Sequence, residues 1–476
     1  MKIKELTYKN LSIDLFEFIP PDAGVVLDFR EYDADLAARL KMQNPDCVYL
    51  ALASQGLLGG EADCILTAAE KIDFDLLLQY LSYLKPEGQM LVVLTGEHDL
   101  EALGRELLAQ EIGIYQIIPL NREKDKPGCI LRIAKSLAGF KPMLLQTFLG
   151  ETMVCARVRI VEPHNFLRTI PLVQAENIKE RLNLDSRDKV KILIRQRTFV
   201  RDRELLMQQL KVLRDNAYLT IAEMDDDPLR WEREYRANDF LPFRGCHAVM
   251  VSTPALAEFM RQFNPHVKCF PNQLAYLPLW REEGAKDKPL NIFFGALNRE
   301  RDYAPLLPAI NELAREYKGR IHFRVIYDKQ FFAALKTEDK DFLPFSDYRT
   351  YEAVLHSSHI AILPLEDNHF NRMKSDLKFI ECAGHGCAVL ASPVVYGETV
   401  LHGKTGYIYH DEYEFKAYFA KLVEDEAVRN SIRKNAYNYV RQERLLVQHY
   451  RERYEWYMSL YSELPELDRQ LMERIG

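Results

Sequence analysis

Short, fully apolar runs separated by helix-like stretches recur almost throughout this chain of 476 residues. "GVVLDF", "CVYLAL", "QMLVVLT", "VKILI", "YLTIAEM", "HAVMVST", "NIFFGAL", "IHFRVIY", "HIAILPL" and "CAVLAS" are the clearest. Runs of this kind have no polar face to turn towards water, so they belong in parallel sheets covered by helices on both sides. The expected fold class is α/β, with three doubly wound parallel-sheet domains. Their expected limits are 1–142, 143–285 and 286–440, followed by C-terminal helices over 441–476. The polar stretch "REEGAKDKP" (281–289) reads as the linker into the third domain.

Charge and cysteine usage narrow the partners. The net charge of -7 argues against nucleic-acid binding, which needs a strongly basic face. The eight cysteines form no C-x-x-C pair, a pattern that fits a reducing compartment. The opening "MKIKELTYKNLSIDLF" lacks an apolar core, and no window reaches the roughly 18 apolar residues of a membrane span. The expectation is a cytoplasmic protein; its oligomeric state is left open.

In the front block, "VVLDFREYDADLAARL" (25–40) is a strand turning into a helix, and "LKPEGQMLVV" lies near the later strands. This order resembles a class I S-adenosylmethionine-dependent methyltransferase, a Rossmann-like fold, over about 120 residues. The resemblance implies a D-x-G-x-G-x-G loop, where bare backbone meets the cofactor. Here Asp28 is kept, but Arg30, Tyr32 and Ala34 stand in the glycine places, and "CVYLALAS" has no acidic residue for a ribose. S-adenosylmethionine is therefore not expected to bind, and the domain reads as one kept for packing or partner recognition.

The stretch "MKSDLKFIECAGHGCAVLAS" (373–392) carries the most chemistry. Residues 374, 378, 381 and 385 follow at steps of four, three and four, so a helix through them puts them on one face. Ser375 suits an N-cap, which leaves N–H groups and a positive dipole end for an anion, with Lys374 adding a full charge. Glu381, one turn further in, can accept a sugar diol, and Gly384 and Gly386 let backbone approach closely. The same spacing also suits a solvated face of Lys–Glu pairs worth about 0.3–0.5 kcal/mol each. Gly295, Arg299 and Arg301 in a preceding glycine turn, with "GKTGYIY" following, favour the anion site.

From "VCARVRI" to "RNSIRKNAYNYVRQERL", about 320 residues resemble a GT-B glycosyltransferase of the broad group with a glycine, lysine and glutamate donor site. The resemblance implies a nucleotide-diphosphate sugar as donor substrate, bound by Gly295, Arg299, Arg301, Lys374, Ser375, Lys378 and Glu381. No tightly bound cofactor is implied. The family's second glutamate, eight residues before Glu381, is replaced by Met373, and the arginine after the first glycine by Ala296. The diphosphate would then rest on Arg301 and Lys374, with Lys378 assisting. Transfer with retention of anomeric configuration is also implied.

Four further groups are candidates. Arg195 and Arg197, with Arg201 and Arg203, follow a strand and suit phosphate, an acidic acceptor or a solvated loop. Asp225, Asp226 and Asp227 end another strand, where carboxylates can hold a divalent metal or cap a turn before Pro228; a metal is possible here but not required. His164 and His247 are catalytic candidates beside strands, where histidine is also a common structural residue. The basic and aromatic run "RKNAYNYVRQERLLVQHYRERYEWYMSLY" suits either packing or peripheral contact with a membrane surface. The function expected is transfer of a sugar to a protein or surface glycan, such as flagellin. The alternatives are a bifunctional methyltransferase–glycosyltransferase and a non-catalytic nucleotide-sugar-binding scaffold.

Overall fold

The computed structural model describes residues 7–8, 11–51, 60–96, 98–120, 128–150, 154–179, 182–184, 188–200, 202–282, 288–296 and 299–476. Three six-stranded sheets organise the chain. The first has the order Val48–Ala51, Val25–Asp28, Ala62–Ala69, Leu84–Thr95, Gly128–Ala134, Gly113–Leu120. Its first four strands are parallel, and Gly128–Ala134 runs antiparallel to both of its neighbours. This sheet is therefore mixed rather than wholly parallel.

The second and third sheets are parallel throughout. In the second, the order is Val173–Ile178, Met143–Leu149, Val190–Gln196, Tyr218–Met224, Ala248–Val251, Val267–Cys269. In the third it is Lys340–Leu343, Ile321–Ile326, Leu290–Gly295, Ile360–Leu363, Ala388–Ala391, Tyr407–Ile408. Alternate residues of a strand enter opposite cores, which explains the unbroken apolar runs. Ile292, Phe294, Ile360 and Leu390 join the core under the helix Leu307–Glu316. Phe293, Ala361 and Val389 join the one under the helix Leu377–Gly384.

The helix Glu426–Glu443 packs on the third domain, and the chain then returns to the second. There Tyr450 and Tyr457 of the helix Leu446–Ser462 are buried with Met143, Ile192 and Ile221. Trp456 meets Phe270 edge-on at 5.4 Å. Leu471 and Ile475 of the last helix, Leu464–Ile475, pack with Leu206, Leu210 and Leu241. The aromatic residues of this C-terminal run are thus divided, Tyr437 and Tyr439 packing on the third domain and Tyr450, Trp456 and Tyr457 on the second. Among the described residues, no helix is long and apolar enough to cross a membrane.

Candidate functional site

The C-terminal ends of strands in the second and third domains bring cations together from both. Gly295 ends its strand where an added Cβ would stand 2.3 Å from the Phe293 ring, so only glycine fits. Arg299 beyond it donates from Nη1 to Asn371 Oδ1 at 2.9 Å and to Asp302 Oδ2 at 3.1 Å. Arg301 is exposed in the short helix Glu300–Tyr303. Phe370 is the hub: Lys374 Nζ lies 4.1 Å from its ring centroid, and the guanidinium carbons of Arg299 and Arg230 each lie at 5.8 Å. Arg230 comes from the second domain, immediately after the acidic triple.

That triple serves as counter-ion to these cations. Asp226 faces Arg230 at 3.3 Å, Lys374 at 3.6 Å and Arg197 at 3.8 Å. Asp225 pairs with Arg197 Nε at 2.6 Å, and Asp227 accepts from the Leu229 N–H and lies 3.5 Å from His369. Among the described residues, no group of three or more His, Cys, Asp or Glu side chains is arranged to hold a metal. Burial holds the Lys374 ammonium down to about 8, with Arg299 and Arg230 pushing the same way and Asp226 opposing. An anion bearing two charges at this place would find one titratable and two permanent cations.

The helix begins later than spacing predicts. It spans Leu377–Gly384 with Asp376, not Ser375, at its N-cap, and no side chain caps it. The Asp376 carboxylate is drawn instead to Arg444, at 2.5 and 2.8 Å, while Ser375 Oγ accepts from Asn272 Nδ2 at 2.8 Å. A cleft of about 1110 Å³ adjoins this turn, lined by Thr253, Lys374, Ser375, Asp376 and Val395 among others. Val395 has a φ of 67° and a ψ of -51°, a costly positive-φ turn for a β-branched residue, and strain of this sort gathers at functional sites.

Lys374 consequently stands in a turn, apart from its expected face-mates. Lys378 and Glu381 turn to the helix Tyr348–His356. Glu381 is buried; it accepts from Tyr351 Oη at 2.6 Å, and from Tyr348 Oη and Lys378 Nζ at 3.3 Å. Lys378 also donates to Tyr351 Oη at 2.7 Å. Arg157 of the second domain stacks 3.4 Å over Tyr348 and pairs with Glu162 at 2.7 Å. Burial pushes the Glu162 carboxyl up to about 7 against the pull of Arg157. Arg157, Arg230, Tyr348 and Tyr351 escaped the sequence reading. The one local signal was the pair of tyrosines three apart in "YRTYEAV".

Other candidates are held by partners of their own. Arg195 is buried and donates to Gln209 Oε1 at 3.3 Å, and Arg197 is engaged by Asp225. Arg203 holds the C-terminal carbonyl of Gly476 at 2.6 Å, and Arg201 lies outside the described residues. His247 is buried, with Nδ1 accepting from the Thr220 N–H at 2.8 Å and Nε2 bonded to Asp468 at 3.1 Å, so it fastens the last helix. His164 is buried near Thr147 Oγ1, at 3.3 Å. Neither imidazole is among the residues that line the cleft beside Lys374.

Burial pushes the His164 imidazole down to about 3. The unfolded chain therefore takes up a proton below about 6.5 that the folded chain refuses, and stability is lost as pH falls from there. In the variant His164→Leu the acid slope of unfolding free energy between pH 4 and 6 should be shallower by about 1.4 kcal/mol per pH unit. Glu162 titrates with the opposite sign in both proteins and cancels in the comparison. Urea titrations at a series of pH values measure the difference; identical slopes would refute it.

Residues 301–458 match the family model described as glycosyl transferase-like, a span that holds Phe370, Lys374, Lys378 and Glu381. Curated proteins gave no match. Solved structures similar to the chain include Anabaena HepE in complex with UDP and glucose, at 12% identity over 67% of this chain and 99% of that one, with a TM-score of 0.48. TarM is similar at 12% identity and a TM-score of 0.42, over 58% of this chain and 55% of its own. The pneumococcal O-GlcNAc transferase GtfA, in complex with UDP and GlcNAc, is similar at 13% identity, 57% of each chain and a TM-score of 0.41. This chain thus spans little more than half the length of TarM and GtfA.

Proposed function

We propose that the protein is a GT-B-type glycosyltransferase that moves a sugar from a nucleotide-diphosphate donor to a protein or surface-glycan acceptor. The observation that carries this reading is the trio Arg230, Arg299 and Lys374 around Phe370, contributed by two domains. Phe370 and Lys374 lie within the glycosyl transferase-like span, and Arg299 stands two residues before it. Departure of a nucleoside diphosphate from a sugar leaves about two negative charges, and cations fixed in advance stabilise that charge as it develops. Glu381, in the helix that follows Lys374, is a ribose-hydroxyl acceptor once Tyr348 and Tyr351 yield to the ligand. Retention of configuration belongs to this proposal. So does a course without a second glutamate, since Met373 is an apolar contact with the second domain.

The front domain is read as non-catalytic. Asp28 is ion-paired with Arg30 at 2.5 Å and accepts from Tyr49 Oη at 2.8 Å, so these two side chains take the acidic group a cofactor would use. Titration with UDP, GDP, inorganic pyrophosphate and S-adenosylmethionine tests both parts. UDP or GDP should bind, and S-adenosylmethionine should not. In Glu381→Gln the nucleoside diphosphate should lose about tenfold in affinity while pyrophosphate loses little, because only the former carries a ribose. Equal loss for both ligands, or no nucleotide binding by the wild-type chain, would refute the reading.

A further inference from the structure

The front domain grips the molecule where the chain passes between its other two domains. The first passage lies within 270–282 and the second within 441–446. They touch through a bridge between Leu274 and Leu445, with the Leu274 N–H on Arg444 O at 2.9 Å and the Leu446 N–H on Leu274 O at 2.8 Å. Two domains joined by adjacent passages of this kind can bend about them as a hinge.

Contacts from the front domain reach both sides of that line. On the third-domain side, the Leu277 N–H donates to Met42 O at 2.7 Å, and Asp46 pairs with Arg441 at 2.6 Å. Leu274 and Leu277 belong to the third domain's core. On the second-domain side, Asp22 accepts from Tyr450 Oη at 2.8 Å and Arg451 Nε at 2.5 Å. Arg132 donates to the carbonyls of Arg168 and Thr169, and Gln89 to that of Thr169, each at 3.1 Å. Tyr276, within the first passage, packs against the cores of both the front and second domains, its ring 6.4 Å from Phe16.

We infer that the front domain is a brace across this hinge, holding the angle between the second and third domains and so setting how often the cleft between them is competent. A body tied to both sides of a hinge opposes its bending, and ligand affinity falls in proportion to the fraction of molecules in the competent arrangement. The functional consequence rests on the proposed donor site; the mechanical one does not. Asp22, Asp46 and Tyr276 are positioning residues and are not among those lining the cleft beside Lys374.

The test uses the full chain and the variant Asp22→Ala/Asp46→Ala/Tyr276→Leu. Amide exchange of Leu274, Leu277 and Leu446 should quicken by about tenfold or more while the front sheet's own strands, Ala62–Ala69 and Leu84–Thr95, stay protected. Solution scattering should show a broader distribution of dimensions, and UDP affinity should fall by about three- to tenfold. Unchanged exchange at the hinge together with unchanged scattering would overturn the brace. A loosened hinge with undiminished UDP affinity would overturn its gating role. If the triple variant does not fold, Asp22→Asn/Asp46→Asn is read by the same exchange measurement, with the same outcomes deciding. Failure of the wild-type chain to bind UDP strikes the donor reading and leaves the exchange result to decide the brace alone.

Discussion

Replacing Arg159 by leucine should lower the unfolding free energy by about 3–5 kcal/mol, because it strands a buried carboxylate. Arg159 lies in the π-helical turn Arg157–Val161 and is 1% exposed. Its Nε meets Glu223 Oε1 at 2.7 Å, and its Nη1 donates to Phe270 O at 2.6 Å and Asn272 Oδ1 at 2.9 Å. Glu223 is likewise buried, and burial already pushes its carboxyl upward against the pull of Arg159. Without the guanidinium, Glu223 must take up a proton or remain charged while buried without its nearest counter-ion, and two acceptors lose their donor. The double variant Arg159→Leu/Glu223→Leu should recover most of the loss, since apolar side chains of similar size often replace such a pair at little cost. Thermal and urea unfolding of wild type, single and double variants give the comparison. A single variant within 1 kcal/mol of wild type would contradict the argument. Neither residue lines the cleft beside Lys374, so the measurement reads stability.

Lys374→Ala should weaken binding of a nucleoside diphosphate by about 10- to 150-fold, the equivalent of one charge-assisted contact worth about 1.5–3 kcal/mol. Folding should be nearly unaffected, because Asp226 keeps Arg230 and Arg197. A pH signature separates this role from general packing. The ammonium of the free protein is held down to about 8, so it is charged at neutral pH and loses its proton as pH rises past 8. The protonated form binds the anion, so wild-type affinity should decline from pH 7 to pH 9. Lys374→Arg should bind without that decline, and Lys374→Ala should be weak and flat across the range. Calorimetry with UDP over this interval reads all three profiles. A parallel decline in Lys374→Arg would assign the titration to another group.

Several expectations and the structure part at identifiable contacts. The four-three-four spacing of 374, 378, 381 and 385 presumes a helix that contains all four residues. Arg444, 68 residues further on, draws the Asp376 carboxylate, and the helix starts only at Leu377. Lys374 is left in a turn that reaches Asp226 of another domain. The acidic triple at 225–227 has the local look of a metal site. Its partners Arg197, Lys374 and His369 come from distant segments, and they turn it into a set of counter-ions. His247 is similar: "RGCHAVMV" places it beside a strand, but Asp468 of the last helix decides its role.

The sequence by itself determined the three sheets, because an unbroken apolar strand is stable only when both of its faces are covered, and that requirement is visible in seven residues at a time. It also determined that Lys374, Lys378 and Glu381 lie near one helix start. Only the tertiary structure decided which of them meet. Lys374 joined Arg230 and Arg299 across the domain interface, and Glu381 went to two tyrosines on a neighbouring helix. Charge pairing acts through space on side chains far apart in sequence, and a local pattern carries no record of the partner.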